Sequence, residues 1–160
     1  MDGNGGGLIA APSDQSNTTS SSTFAEWGCM FQNIIGADGT AIGTGAQNTI
    51  DILSACATTG IAAEICANLT LGGYSDWFLP SREELLEMFF NIGQGNVGVP
   101  TLTNIGGFSN TKYWSSSEVP SAQFTKAFKI DFSATTSNSI NFPGGYSKNT
   151  GSKVRAIRAF

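Results

Sequence analysis

The chain has 160 residues, 40% of them hydrophobic and 11% aromatic, which is enough apolar material for one domain with a closed core and excludes a disordered chain. Charged residues make up only 12%, with a formal charge of −4, so Ser, Thr, Asn and Gly carry the polarity, as in an extracellular binding module. Histidine is absent, which removes the commonest general base and the commonest metal ligand, and with them most hydrolase and zinc-site readings.

Met1 is followed by a glycine-rich turn, Asp2 to Gly7, with neither the basic start nor the apolar run of a signal peptide, so the start reads as an artificial boundary or the cut end of a longer chain. Asp2 and Asn4 are turn residues, because the later ligands and terminal Glu of a calcium loop are missing. Leu8 to Ala11 reads as a short strand ending at Pro12, its partner strand expected upstream. Ser13 to Thr23 is a polar loop, and Phe24 to Gly28 brings two aromatics back toward the core.

A glycine-spaced loop runs from Gly36 to Gly45, after which Asn48 is expected to cap a helix of about Thr49 to Ala57 with Asp51 in its first turn. Gly60 interrupts it, and Ile61 to Ala67 forms a further short turn of helix, with Ile61 and Ile65 on one face and Asn68 at its end. Cys29, Cys56 and Cys66 allow at most one internal disulfide. A Cys56–Cys66 bridge would staple that turn in an exported protein and leave Cys29 buried, and three buried thiols are the alternative.

Pro80-Ser81-Arg82-Glu83-Glu84 is the strongest local signal. Ser81 and Glu84 have capping-box spacing ahead of Leu85, Leu86, Met88, Phe89 and Ile92, which predicts a second amphipathic helix. Its carboxylates Glu83, Glu84 and Glu87 read as structural, since two sit where the helix dipole favours anions and no catalytic partner is evident. Gly93 to Gly107 is loop-like, and short strands follow. Ala127 to Ser133 alternates, which places Phe128, Ile130 and Phe132 on the core face and Lys129 and Asp131 on the other. Ser139 to Phe142 repeats the alternation, Pro143 to Gly145 is a turn, and Val154 to Phe160 reads as a closing strand with Arg155 and Arg158 on its pleated surface. No stretch is long enough to span a bilayer.

A tryptophan strand feeding a capped helix, followed by a small sheet closed by the terminal strand, gives an α+β arrangement around one core. Three segments resemble the Lcl-type C-terminal domain family, named after a collagen-like bacterial adhesin. They are Gly72-Gly73-Tyr74-Ser75-Asp76-Trp77-Phe78-Leu79-Pro80-Ser81 leading into Glu84-Leu85, then Tyr113-Trp114-Ser115-Ser116-Ser117-Glu118, then Val154-Arg155-Ala156-Ile157-Arg158-Ala159-Phe160. With Asp51 to Asn68 and Asp2 to Ala11 they carry the resemblance over nearly the whole chain. It implies a C-type-lectin-like fold in a single domain spanning residues 1–160, the C-terminal part of a longer chain, with two helices packed on small twisted, mainly antiparallel sheets with long loops. It also implies a relation in outline to the formylglycine-generating enzymes and to the variable proteins of diversity-generating retroelements. Analogy with the collagen-linked member implies a homotrimer on an upstream stalk.

Trp77 and Trp114 read as core anchors whose indole N–H groups find partners inside. Ser115-Ser116-Ser117 has no histidine to activate it and no glycine-flanked elbow. The formylglycine-generating relatives need reactive cysteines late in the chain, whereas all three here precede Leu69. The Glu-Pro-Asn, Gln-Pro-Asp and Trp-Asn-Asp tripeptides of calcium-dependent lectins do not occur. The expectation is therefore a protein that is not an enzyme, without cofactor or metal.

Charge divides along the chain: residues 1 to 111 carry Arg82 against ten carboxylates, and residues 112 to 160 carry seven cations against Glu118 and Asp131. Such a division marks a polyanion-binding face or two halves that neutralise each other by packing. Between Glu118 and Val154, the residues Gln123, Lys126, Lys129, Asp131, Asn138, Asn141, Tyr146, Lys148, Asn149 and Lys153 are the candidate ligand face. Lysines suit sulfate or carboxylate groups, Asn and Tyr supply neutral hydrogen bonds and stacking, and an ordinary solvated edge is the alternative. The expected partner is a glycan, acidic or sulfated ones included, or a host surface protein. Net negative charge and the lack of an aromatic-basic stripe argue against nucleic acid. The function that follows is recognition or adhesion outside the cell, at a cell surface or on a virion fibre. A hypervariable protein-receptor-binding domain and a structural trimerising cap are the rival readings.

Overall fold

Both ends of the described chain meet in one ladder. In the computed structural model, which describes residues 6–17, 22–93, 104–120, 124–134 and 144–160, strand β1 (Leu8–Ala10) pairs antiparallel with β7 (Ile157–Ala159), Leu8 lying opposite Ala159. The partner of the first strand is thus the last strand, not an upstream segment. A second sheet has the order β2 (Phe24–Ala25), β6 (Ser152–Lys153), β3 (Lys112–Glu118), β4 (Lys126–Asp131), β5 (Tyr146–Ser147). Its β3–β6 pair is parallel and its other pairs are antiparallel. With three helices among the described residues, the protein is α+β with mixed sheets. Ser139 to Phe142 lies outside the described residues.

Helix α3 (Arg82–Asn91) starts where its capping box predicts: Ser81 Oγ accepts from the Glu84 N–H at 3.3 Å, and the Glu84 carboxylate accepts from the Ser81 N–H at 2.7 Å. The other Glu84 oxygen accepts from the Gly43 N–H at 2.8 Å, so this buried carboxylate is spent on two backbone donors. Helix α1 (Gly45–Ala55) begins four residues before the expected start. A Cβ at Gly45 would collide with Glu84, and only glycine lets α1 open against the capping box. Asn48 is a buried residue inside α1 rather than its cap, and its amide donates to Gly39 O at 2.6 Å and Ser116 Oγ at 3.1 Å. The short Ile61 segment is a helix of its own, α2 (Ala62–Ala67), which makes three helices instead of two among the described residues.

The five-stranded sheet has a hydrophobic cluster on each side. One gathers Trp27, Ile52, Cys66, Trp114 and Val154; the other gathers Leu85, Phe89, Tyr113, Ile130 and Phe132 beneath α3. All three tryptophans are buried with their N–H groups bonded, Trp27 to Ser115 O, Trp77 to Tyr74 O and Trp114 to Ala25 O. Because side chains pack on both faces of the middle of β3 and β4, the alternation in Ala127 to Ser133 does not divide core from solvent. Lys129 is only 3% exposed. No helix among the described residues is long and apolar enough to cross a membrane.

The disulfide is Cys29–Cys56, not Cys56–Cys66. Cys66 lies on the buried face of α2, where burial pushes its thiol well above the usual range, while Cys56 sits just past the end of α1 beside Cys29. The closed loop of 27 residues holds the segment leading to Ile34. Replacing both Cys29 and Cys56 by Ser should lower the unfolding free energy by about 3.5 kcal/mol on the chain-entropy argument. Urea denaturation of the double variant beside the oxidised protein measures this.

Charge is spent in two buried knots. Asp14 accepts from Arg155 Nη2 at 2.6 Å and Nε at 3.0 Å and from the Tyr113 hydroxyl at 2.9 Å, and it pairs with Lys153 at 3.1 Å. Arg155 also donates to the carbonyls of Ala11, Gly106 and Gly107. Residues 154–156 therefore lie outside a strand, between β6 and β7, and Arg155 is buried rather than on a pleated surface. In the other knot Lys148 donates to Glu118 at 2.5 Å and to Gln32 O at 2.8 Å, while the second Glu118 oxygen accepts from the Ile34 N–H. Among the described residues, three of the five ion pairs, Asp14 with Lys153 and Arg155, and Asp76 with Arg158, join the acidic part of the chain to the basic part.

Candidate ligand-binding face

The cross-strand register decides which basic residues meet. Lys112 lies opposite Asp131 and Trp114 opposite Lys129, so all four share one face of the β3–β4 pair. Tyr146 of β5, opposite Ala127, extends the same face. Lys112 Nζ bonds Asp131 at 2.9 Å and lies 5.7 Å from the centre of the Tyr146 ring. Lys129 Nζ lies 3.8 Å above the Trp114 ring and 5.3 Å from the Tyr146 ring, and donates to Thr150 Oγ1 at 2.6 Å. A lysine stem packed along an indole, with its ammonium over ring faces, is the geometry of cation–π attraction.

Electrostatically this shelf is positive. Lys129 has no carboxylate partner among the described residues, and burial, with the repulsion of Lys112, brings its ammonium down from 10.5 to about 8. The Asp131 hydrogen bond holds Lys112 above its ordinary value. Burial would lift the Asp131 carboxyl, but bonds from Ser133 and Lys112 outweigh it and hold the group below the usual range.

Of the candidate residues, Lys129, Asp131 and Tyr146 come together here. Lys126 alternates onto the opposite face with Phe128, and Lys153 is engaged by Asp14 and lies over Phe24. Asn149 is exposed and accepts from the Ser147 hydroxyl. Lys148 is not at the surface: it is fully buried over the Trp27 ring, where its ammonium ties the turn between β5 and β6 to Glu118 and the Gln32 carbonyl. Gln123, Asn138 and Asn141 lie outside the described residues. The sequence reading missed Lys112, Trp114 as a shelf, and Thr150. The signal for Lys112 was there, in its even spacing to Trp114 along one strand.

The serine run is structural as placed. Ser115 donates to Phe128 O, Ser116 accepts from Asn48, and Ser117 donates to Gly39 O while accepting from the Arg82 N–H. Among the described residues, no cluster of three or more His, Cys, Asp or Glu could hold a metal ion. Compared with protein-family models and with curated proteins, the chain matches none.

Proposed function

We propose that the chain is an extracellular recognition domain of C-type-lectin-like architecture, akin to the Lcl-type C-terminal domains, which binds acidic or sulfated glycans on the β3–β4–β5 face. The observation that carries this reading is the buried Lys129 ammonium, held on Trp114 and Tyr146 by rings and a hydroxyl instead of a carboxylate. Lys129 itself is covered, so a sulfate or carboxylate would enter at the edge formed by exposed Thr150 and part-exposed Lys112 and, in place of the Thr150 hydroxyl, supply the missing counter-charge. The half-exposed Tyr146 offers a stacking surface, and Lys112, paired with Asp131 but with over a third of its side chain exposed, offers a second ammonium to share. The architecture is supported by the α+β arrangement with mixed sheets and long connections, and the location by the Cys29–Cys56 disulfide, which persists in oxidising surroundings. Assembly as a homotrimer on a stalk would multiply weak single contacts.

A glycan array and a heparin column developed with rising salt test this. The protein should elute well above the salt that releases a neutral control. Lys112→Ala should weaken binding on the order of tenfold, the scale of one lost charged hydrogen bond. Since the protonated Lys129 is the binding form, affinity should be steady below pH 8 and fall as pH rises through about 8, well before an ordinary lysine titrates. Failure to bind any acidic glycan would overturn the reading.

A further inference from the structure

A cleft that shares no residue with this face lies among the Gln15–Asn17 segment, the Thr59–Gly60 turn and the end of α2, with a volume of about 420 Å³. That falls in the ~300–1,000 Å³ range of small-molecule sites. We infer that it binds an uncharged sugar. Its lining consists of neutral amides and hydroxyls with one charge, Glu64, and one apolar wall, Ile65 and Leu69; no lysine or arginine takes part. An anionic ligand would meet Glu64 without compensation, whereas sugar hydroxyls can donate to a carboxylate and to amide oxygens while their C–H faces cover the apolar wall.

The walls are built before a ligand arrives. The Gln15 N–H donates to Val154 O at 2.8 Å, Ile65 N–H to Ile61 O at 3.0 Å, and Leu69 N–H to Cys66 O at 3.1 Å. One Glu64 oxygen accepts from the Gly60 N–H, and the other has no partner among the described residues. Gly60 has φ +73°, and a side chain there would drive into the Asn17 amide, so this turn keeps the cleft's shape only as glycine. The inference does not rest on the acidic-glycan reading, since the two sites share no residue.

The test is an amide chemical-shift titration with neutral monosaccharides (glucose, galactose, mannose, N-acetylglucosamine), with glucuronate and choline run alongside. At least one neutral sugar should move Gln15, Glu64 and Leu69 saturably while Lys112 and Tyr146 stay in place. Glu64→Gln should weaken that binding tenfold or more. Asn68→Ala, at an exposed lining position where folding is not at risk, should weaken it with an unchanged circular dichroism spectrum. If Glu64→Gln fails to fold, the Asn68 variant decides. The inference is overturned if no neutral sugar gives saturable shifts at these residues, if glucuronate or choline binds there as well or better, or if the folded variants bind like the parent. Loss of heparin binding with these shifts intact would remove the other reading alone.

Discussion

Replacing Arg155 with Ala is expected to lower the unfolding free energy by about 3–5 kcal/mol, the cost of leaving a buried charge without its partner. The guanidinium is buried, stacks 4.2 Å from the Phe108 ring, and ties Asp14 to the carbonyls of Ala11, Gly106 and Gly107. Without it, Asp14 keeps only Tyr113, Lys153 and a long contact to Ser109. The acid limb provides a second readout. Burial raises the Asp14 carboxyl, but hydrogen bonds and charge from Arg155, with Tyr113 and Lys153, more than offset this and hold it below its ordinary 3.8. A depressed carboxylate contributes stability that is present above the unfolded value and lost as pH falls through the folded one. Arg155→Ala should therefore flatten the loss of stability below pH 4 as well as lower the plateau. Arg158→Ala is the control: its partner Asp76 is largely exposed, and its loss should change stability little. Urea titrations from pH 2 to pH 7 measure all of this.

Glu118→Ala is expected to cost a similar amount, about 3–5 kcal/mol, because it strands the Lys148 ammonium in the interior. Burial already pulls Lys148 below the ordinary lysine value, and Glu118 partly restores it. Once Glu118 is gone the amine loses its proton at lower pH. The unfolded chain then binds more protons than the folded one across the window up to 10.5, so the variant's stability should rise with pH there. Combining Glu118→Leu with Lys148→Met should recover much of the loss, since both charges leave together. The recovery should be incomplete, because Ile34 N–H and Gln32 O lose their partners. A double-mutant cycle by urea denaturation separates these contributions.

Local chemistry made α3 readable, because the Ser81–Glu84 box needs nothing beyond its own turn. The start of α1 was hidden because it depends on distant packing: Gly45 is helical where it fits against Glu84, and Asn48 faces Gly39 and Ser116 instead of its own helix end. The strand alternation in β4 located the strand but misjudged Lys129, since Trp114, Tyr146 and Thr150 pack over it on the side expected to meet solvent. Cysteine spacing could not choose a disulfide, because it says nothing of which face of α2 Cys66 occupies. The basic C-terminal third was visible as composition. Which of its cations remain for a ligand was not, because Lys148, Lys153 and Arg155 are claimed by Glu118 and Asp14 at separations only the tertiary fold reveals.

The decisive measurement is an amide chemical-shift titration of the protein with a heparin-derived tetrasaccharide at pH 6.5. Saturable shifts should cluster at Lys112, Lys129, Tyr146 and Thr150 and be abolished when Lys112→Ala and Lys129→Met are combined in a protein that still folds. Shifts centred anywhere else, or none at any attainable concentration, would contradict the acidic-glycan reading.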